Sequence, residues 1–395
     1  MQLPIFQNTP YLIYPTSTAA VPTSDRRHFC QTANPTSTRA SLPSRPHSTP
    51  LPEILMRSNP PHPIIQRLIR SPQLAQNGHP LILLLTSRNT LIHISFLLLA
   101  IAYSYYFMQH RFWLTHEFGR ATLSSLLDGT ADRPFQYRVL IPWSVNLISR
   151  TTLYPLFRNS PLRVFQLIEI LSVFSLIVAF RYYISFFLPS PKHSTIFSLL
   201  LLCILPFNFL LPGDGWFPSD LPSVLFFQMG LILLYKRSLK NYYILFIIAT
   251  LNRETTCFLT FIFLFTTIGK KSYKTIGFHC LLQFAIWIAI KLWLYQLYSG
   301  NPGLPVENHF TLNIGILANP RNYPLLLSSL GFIWIPVVFY HRAISDVFVR
   351  RSILVTFPFM FGMLWVGNLP ELRIYGELIP VFLSAFLLIL RELRQ

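Results

Sequence analysis

Long apolar segments, separated by short polar ones, constrain this chain more than any other feature. Charged residues make up 12% of its 395 residues and hydrophobic residues 52%, whereas soluble domains carry about 25% charged residues. Several of the apolar segments reach the roughly 20 residues that an α-helix needs to cross a bilayer. Because a backbone inside a bilayer must satisfy its own hydrogen bonds, such segments fold as helices. The sequence therefore predicts an all-α fold, a polytopic transmembrane helix bundle.

We expect about eight full spans and one contested apolar segment. The contested segment, residues 241–268, is apolar at both ends and carries Asn252, Arg253 and Glu254 at its centre. A large first loop at 109–161 is expected to carry amphipathic helices. The full spans are predicted at 89–108, 162–187, 194–212, 221–235, 275–297, 324–340, 352–368 and 374–391.

Basic residues set the predicted orientation, because cytoplasmic loops are enriched in Lys and Arg. Three basic residues lie within 236–240, before the contested segment, and three lie within 270–274, after it. Both groups are cytoplasmic only if the segment forms two short helices that break near Arg253. A single span would place one group outside and would also invert the basic loop at 341–351. We therefore predict two short limbs, with both termini cytoplasmic and 109–161 extracytoplasmic.

The first 80 residues differ from the membrane domain expected at 81–395. They are rich in Pro, Ser and Thr and carry seven Arg against Asp25 and Glu53. Such a composition cannot form an apolar core, so it predicts a disordered tail. Two alternatives stay open, a transit peptide and a translation start at Met56.

The net charge of +18 does not lead us to expect a nucleic-acid partner. The basic residues fall mostly in short loops and in the tail, and the sequence has no zinc-finger spacing and no RNA-binding signature. The four cysteines form no Cys-x-x-Cys pair, so they predict neither a disulfide framework nor a metal site. No cofactor is expected, and a requirement for a divalent metal stays open.

The predicted topology gathers the unusual polar residues on the extracytoplasmic side. Arg and Glu inside an apolar segment are costly unless paired or hydrated, so they mark functional sites. Guanidinium groups bind phosphate through two hydrogen bonds, and a carboxylate can take a proton from a hydroxyl. We therefore predict catalytic roles for Asp128, Asp132 and Glu254. The predicted substrate-binding residues are Arg133, Arg138, Asp214, Asp220, Asn252, Arg253, Glu371 and Arg373.

Several of these residues also have a purely structural interpretation. Asp128 begins a turn sequence, and Asp220 could cap the fourth span. The segment 133–143 could form an interfacial amphipathic helix whose arginines reach the headgroups. Glu169 and Lys291, near the ends of their spans, are expected to extend to the interface in the same way.

Four short motifs carry a resemblance to a known class of enzymes. They are Pro134-Phe-Gln-Tyr-Arg138-Val-Leu-Ile-Pro142, Asp220-Leu-Pro-Ser, Leu251-Asn-Arg-Glu-Thr255 and Glu371-Leu-Arg373. These motifs resemble segments of bacterial membrane proteins grouped near the C-type (GT-C) integral-membrane glycosyltransferases. The resemblance implies a GT-C-like fold in the bacterial inner membrane, a polyprenyl-phosphate-linked sugar as donor, a glycan or lipid acceptor, and a catalytic acid in the first outer loop. That loop has Asp128 and Asp132 four residues apart, where the class has closely spaced acids.

The predicted function is therefore transfer of a sugar from a polyprenyl-phosphate donor to an envelope glycan or lipid. A transporter, flippase or polymerase of lipid-linked saccharides is the alternative, because a broken helix with a polar midpoint is also a transporter trait. A structural scaffold would leave the charges at Arg253 and Glu254 unexplained. Membrane lipid is an expected partner in every case.

Overall fold

A computed structural model describes residues 88–116, 118–211 and 217–394. Throughout these residues the chain forms α-helices, 3₁₀ helices and turns, with no strand. The predicted all-α class is confirmed. The predicted disordered tail at 1–80 lies outside the described residues, as does Asp214.

The helices up to the contested segment include two short ones in the first loop. That loop also contains 3₁₀ helices at Phe135–Tyr137 and Tyr154–Phe157. The α-helices are α1 (Arg88–His116), α2 (Leu123–Asp128), α3 (Leu140–Ser149), α4 (Pro161–Ile184), α5 (Pro191–Ser198), α6 (Leu200–Phe209) and α7 (Asp220–Tyr235).

The remaining helices are shorter on average, and several meet end to end. They are α8 (Leu239–Asn252), α9 (Phe258–Thr267), α10 (Tyr273–Leu297), α11 (Phe310–Ala318), α12 (Tyr323–Leu327), α13 (Trp334–Tyr340), α14 (Val347–Ser352), α15 (Thr356–Val366) and α16 (Ile379–Glu392). The 3₁₀ helices among them are Glu254–Cys257, Pro320–Asn322, Ser329–Phe332, His341–Ala343, Ile353–Val355 and Leu372–Leu378.

Helix starts follow the local sequence. Helices α4 and α5 begin with Pro161 and Pro191 at their first positions, where the missing proline N–H costs no hydrogen bond. Helix α10 begins after Ser272, whose side chain accepts a hydrogen bond from the backbone of Thr275 at 3.3 Å. Helix α14 begins after Asp346, whose carboxylate caps it in the same way.

Six helical segments of the described residues are long and apolar enough to cross a membrane. The expected span at 221–235 is not among them, because α7 has only 16 residues, or about 24 Å at 1.5 Å per residue. The six are Asn89–His110, Pro161–Ile184, Pro191–Phe209, Tyr273–Leu297, Val347–Val366 and Leu372–Glu392.

The helix expected at 324–340 is not continuous. Leu330, Gly331 and Phe332 all have left-handed backbone angles, with φ of 56°, 59° and 62°. These angles interrupt the helix between α12 and α13. The side chain of Asn208, on α6, accepts a hydrogen bond from the Leu330 amide at 3.0 Å. The break therefore has a partner from another helix, which composition alone does not reveal.

The segment Leu372–Glu392 lies at the centre of the bundle. In its most apolar stretch 94% of the residues are buried, against 17% for α10. The exposed face of α10 is apolar and includes Leu281, Leu292 and Trp293. Such a face suits lipid contact, whereas the C-terminal segment packs against protein on all sides.

The contested segment forms two limbs, as predicted. Helix α8 ends at Asn252, and Arg253 has an extended backbone, with φ of −157° and ψ of 145°. The imidazole of His279 contacts both limbs: its Nδ1 lies 2.8 Å from the Tyr243 hydroxyl, and its ring centroid lies 5.6 Å from that of Phe263. Since Tyr243 and Phe263 lie about equally far from Arg253 along the chain, α8 and α9 run in opposite directions.

The first loop is folded onto the bundle. The side chain of Asn301 donates hydrogen bonds to the carbonyl oxygens of Gly129 and Ala131, both at 2.8 Å. The Arg133 amide donates to the Pro302 carbonyl at 2.9 Å. At Gly303 the φ is 85°, and a Cβ would lie 2.6 Å from the Arg133 carbonyl oxygen. Glycine at that position therefore allows the two loops to meet.

Candidate functional site

Four charged side chains form a buried cluster at the turn between α8 and α9. The Nη1 atom of Arg253 lies 3.4 Å from a carboxylate oxygen of Asp220 and 3.4 Å from one of Glu377. The Nη1 atom of Arg373 lies 3.6 Å from the same Asp220 oxygen. All four residues are buried. We call Asp220, Arg253, Arg373 and Glu377 the buried charge cluster.

Hydrogen bonds from side chains and from the backbone hold this cluster in place. The Asn252 side chain donates to the carbonyl of Ser219 at 3.0 Å, which ties the end of α8 to the start of α7. The Asp220 carboxylate accepts from the Phe217 amide at 3.3 Å. The Thr255 hydroxyl donates to the Glu377 carboxylate at 2.6 Å. Asp220, the first residue of α7, therefore binds the backbone that precedes the helix and also contributes a charge to the cluster, and its side chain does not cap α7.

Glu254 has two cationic partners from distant parts of the chain. One carboxylate oxygen accepts a hydrogen bond from Arg138 at 2.7 Å. The other lies 3.9 Å from the Lys291 ammonium. The Arg138 and Lys291 side chains are largely buried, while the side chain of Glu254 is 37% exposed. The expectation that Lys291 extends to the interface is wrong, because its ammonium points inward to this carboxylate.

One cavity has a volume of about 550 Å³. Its lining includes charged residues of both groups, namely Arg138, Arg253, Glu254, Lys291 and Arg373. The rings of Phe118, Phe135 and Phe217 form one wall, with Phe135 and Phe217 stacked at a centroid distance of 5.5 Å. The Arg373 guanidinium carbon lies 4.1 Å from the Phe217 ring centroid. Apolar side chains of α9, α10 and α15 complete the lining, among them Phe258, Trp287, Met363 and Val366.

The cationic residues lining this cavity keep hydrogen-bond donors without an acceptor. These atoms are buried: Nε and Nη1 of Arg138, Nε of Arg253, Nε and Nη1 of Arg373, and Nζ of Lys291. A buried donor that lacks an acceptor costs roughly 1–3 kcal/mol, and more when it is charged. Several such donors around one cavity indicate a site for an anionic group with several acceptor oxygens.

Glu371 also lines the cavity, and it is ionised. Burial raises the pKa of this carboxyl group, but the neighbouring Arg373 guanidinium and the Asn368 amide outweigh burial. The resulting pKa lies below the ordinary value for glutamate. Both side chains donate hydrogen bonds to its carboxylate.

Apart from a second group of charges around Glu307, the cavity wall and the buried charge cluster carry equal numbers of positive and negative side chains. The positive charges belong to Arg138, Arg253, Lys291 and Arg373, and the negative charges to Asp220, Glu254, Glu371 and Glu377. A second group of charges lies at the rim. Arg120 bridges Asp132 and Glu307, and the Nε2 atom of His309 lies 3.3 Å from Glu307. Glu307 and His309 line the cavity.

The structure brings seven of the predicted site residues together: Arg138, Asp220, Asn252, Arg253, Glu254, Glu371 and Arg373. Arg138 does not belong to an interfacial helix, because it lies between the 3₁₀ helix and α3 and its side chain is largely buried.

Three predicted residues of the first loop lie away from the cavity wall. Asp128 is exposed at the end of α2. Asp132 is held by Arg120 through an ion pair of 3.0 Å. Arg133 donates a hydrogen bond to the Gly303 carbonyl at 2.8 Å. In the structure these side chains fasten the first loop or face away from the site.

Sequence reasoning missed several members of the site, namely Arg120, Lys291, Glu307, His309 and Glu377. A signal existed for Glu377, which follows Arg373 by four residues at the entrance to an apolar segment. No such signal marks Glu307 or His309, which lie in an ordinary polar loop. Within the part of the chain that the structure describes, no three His, Cys, Asp or Glu side chains are grouped so that they could hold a metal ion.

The comparisons with known proteins add no family to this description. No protein-family model matches the sequence, and no curated protein or solved structure matches it either. The apolar helices identify a membrane protein by length and composition.

Proposed function

We propose that this protein is a membrane glycosyltransferase that takes its sugar from a polyprenyl-phosphate donor. The observation that carries the proposal is the set of donors without acceptors on Arg138, Lys291 and Arg373, around a cavity with largely apolar walls. A polyprenyl-phosphate sugar combines the features that such a cavity accommodates: a phosphate for the cations, a sugar for aromatic rings and a hydrocarbon chain for apolar walls.

Each part of the donor has a matching part of the cavity. Arg138 and Arg373 bind the phosphate through their guanidinium groups, and Lys291 adds a point charge. The stacked Phe135 and Phe217 rings supply a flat apolar surface for the sugar. The hydrocarbon chain lies toward α10 and α15, which contribute Trp287 and Met363 to the lining.

In the proposed reaction, the acceptor hydroxyl oxygen attacks the anomeric carbon of the donor sugar. The bond between that carbon and the phosphate oxygen breaks, and the electron pair leaves with polyprenyl phosphate. Arg138 and Arg373 stabilise the negative charge on this leaving group. The hydroxyl proton passes to Glu254, the partly exposed carboxylate at the cavity wall.

The proposed orientation follows from the basic residues. Positive loops favour the cytoplasmic side, which places the turn at Arg253 and the cavity on the extracytoplasmic face of a bacterial inner membrane. A reporter fused at Lys271 should then be found in the cytoplasm. Detection of that reporter outside would contradict this orientation.

The first test measures binding of polyprenyl monophosphate to the purified full-length protein by native mass spectrometry. We expect binding by the wild-type chain and a loss of roughly tenfold or more for Arg138→Ala, which removes a charged hydrogen-bond donor. Arg150→Ala is the matched control, because Arg150 is an exposed arginine of the same loop. Equal binding by both variants would contradict the proposed phosphate site.

The second test concerns the reaction and uses a strain that lacks the gene, complemented with variants. Glu254→Gln should abolish glycan modification, whereas Asp128→Asn, which also removes one carboxylate charge, should preserve it. Mass spectrometry of the envelope separates the alternatives. A missing sugar supports transfer, and accumulation of a complete lipid-linked saccharide supports a flippase or polymerase, a reading favoured by the broken segment at Arg253.

A further inference from the structure

A second cavity, of about 580 Å³, lies at the opposite end of α8 from the site. It is bounded by the end of α7, the start of α8, the end of α9 and the start of α14. Three cationic residues, Arg237, Lys270 and Lys271, line it together with Asp346. We call this the basic cavity. Its cations come from the two basic groups that flank the contested segment.

The backbone around the basic cavity is held in a defined shape. The guanidinium group of Arg351 donates hydrogen bonds to the carbonyl oxygens of Phe265 and Ile268 at the end of α9. Gly269 follows in the left-handed conformation, with φ of 78°, a common way to end a helix. This turn places Lys270 and Lys271 at the cavity. Arg237 also has a left-handed backbone, with φ of 57°.

The charges of the basic cavity are not balanced. Asp346 is the acidic residue of its lining, and its carboxylate already accepts a hydrogen bond from the Val349 amide at 2.9 Å. Partial burial lowers the pKa of the Lys270 ammonium, and repulsion from Arg237 and Arg351 lowers it further. Cations that line one cavity repel one another, so an anion between them would stabilise the arrangement.

We propose that the basic cavity binds the phosphate group of an anionic phospholipid. A phosphate supplies several acceptor oxygens for Arg237, Lys270 and Lys271. Leu239, Phe263 and Phe348 also line the cavity, and they offer apolar contact to the glycerol and upper acyl chain. Basic pockets between helices on the cytoplasmic side are a known way to bind anionic lipid headgroups. This site is separate from the proposed glycosyl-transfer site.

The test measures lipid binding by the purified full-length protein in neutral detergent, using native mass spectrometry and thermal unfolding. Phosphatidylglycerol, phosphatidylcholine and inorganic phosphate are titrated separately. We expect phosphatidylglycerol to bind and to raise the unfolding temperature, with little effect of phosphatidylcholine. The Lys270→Ala/Lys271→Ala variant should bind phosphatidylglycerol roughly 25-fold more weakly, since each lysine near a membrane surface contributes about fivefold.

The matched control is Lys192→Ala/Arg342→Ala, which also removes two positive charges. Both residues are exposed and neither lines the basic cavity, so this variant should bind like the wild type. Equal weakening in the two variants would show attraction by general surface charge and would overturn the proposal. So would equal binding of the two phospholipids by the wild-type protein.

Two further outcomes are also decisive. If inorganic phosphate raises the unfolding temperature and competes with phosphatidylglycerol, the cavity is a site for free phosphate and the lipid assignment is wrong. If the double lysine variant does not fold, Lys271→Gln replaces it, with a smaller loss in the same direction expected. Binding of polyprenyl phosphate is measured separately with Arg138→Ala, so failure of one proposal leaves the other distinguishable.

Discussion

The two cavities described above are similar in volume, at about 550 and 580 Å³. They differ in the burial of their charged side chains and in how many cations have a carboxylate partner. At the site, buried arginines are matched by buried carboxylates such as Asp220 and Glu377. At the basic cavity, Lys270 and Lys271 are accessible and exceed the available carboxylates. Because burial makes an unmatched charge costly, the first region depends on its internal pairs for folding. The second region has an excess of positive charge in its lining, and the proposed phospholipid site depends on that excess.

The largest expected effect tests the first half of this comparison. Arg253→Ala removes the cation shared by Asp220 and Glu377 and should destabilise the protein by about 3–5 kcal/mol, the usual cost of breaking a buried ion pair. Unfolding in detergent monitored by circular dichroism would measure it. Arg237→Ala, which also removes one arginine but at the basic cavity, should change stability by no more than about 0.5 kcal/mol.

A double variant sharpens this result. Adding Glu377→Gln to Arg253→Ala removes one of the stranded carboxylate charges and should restore part of the lost stability. If Arg253→Ala is no more destabilising than Arg237→Ala, the buried charge cluster is not needed for folding.

The next effect concerns packing around the same cluster. Gly376 lies between Arg373 and Glu377, and a Cβ there would lie 2.5 Å from the Phe209 ring. Gly376→Ala should therefore cost about 1–3 kcal/mol by overpacking. Gly277→Ala is the control, because a Cβ on that residue of α10 meets nothing within 4 Å. In a helix interior it should gain roughly 0.5–1 kcal/mol. Similar unfolding midpoints for the two variants would contradict the close packing of Gly376 against Phe209.

At the basic cavity we expect a substitution that raises the stability of the fold, by a smaller amount. Arg237 has a left-handed backbone, which costs a residue other than glycine roughly 1–2 kcal/mol. Arg237→Gly should therefore stabilise the fold, by about 0.5–1 kcal/mol after the greater entropy of glycine in the unfolded chain is included. The same variant should bind phosphatidylglycerol more weakly. A variant that loses stability would show that the Arg237 side chain serves the fold and not a ligand.

The smallest expected effect is on how the stability of the fold depends on pH. The pKa of Glu371 is lowered in the folded protein because the attraction of Arg373 exceeds the opposing effect of burial. Its ionised form therefore stabilises the fold above the pKa of the unfolded chain, about 4.3. This contribution is lost as the pH falls through the lower folded value. Glu371→Gln should be less stable than the wild type at pH 6, and the difference should shrink toward pH 3. Thermal unfolding across this range would measure it, and a constant difference would contradict the assignment.

Local sequence correctly predicted the features that depend on one segment at a time. The break in 241–268 followed from polar residues at its centre and basic residues at both ends, and the structure has it at Arg253. The grouping of Asp220, Arg253 and Arg373 was also anticipated. In contrast, the predicted continuous helix at 324–340 is broken at Leu330, where Asn208 of another helix binds the backbone.

The sequence alone determined which segments require an apolar environment and which require a polar one. Long apolar segments require helices, and a cation and an acid inside one of them require partners. The tertiary structure determines which residues are those partners. It turned Lys291 inward to Glu254 and added Glu377 to the cluster, while it left Asp128 exposed. The physical reason is that helix rotation and crossing, set by packing of the whole bundle, fix which side chains meet, and no single segment contains that information.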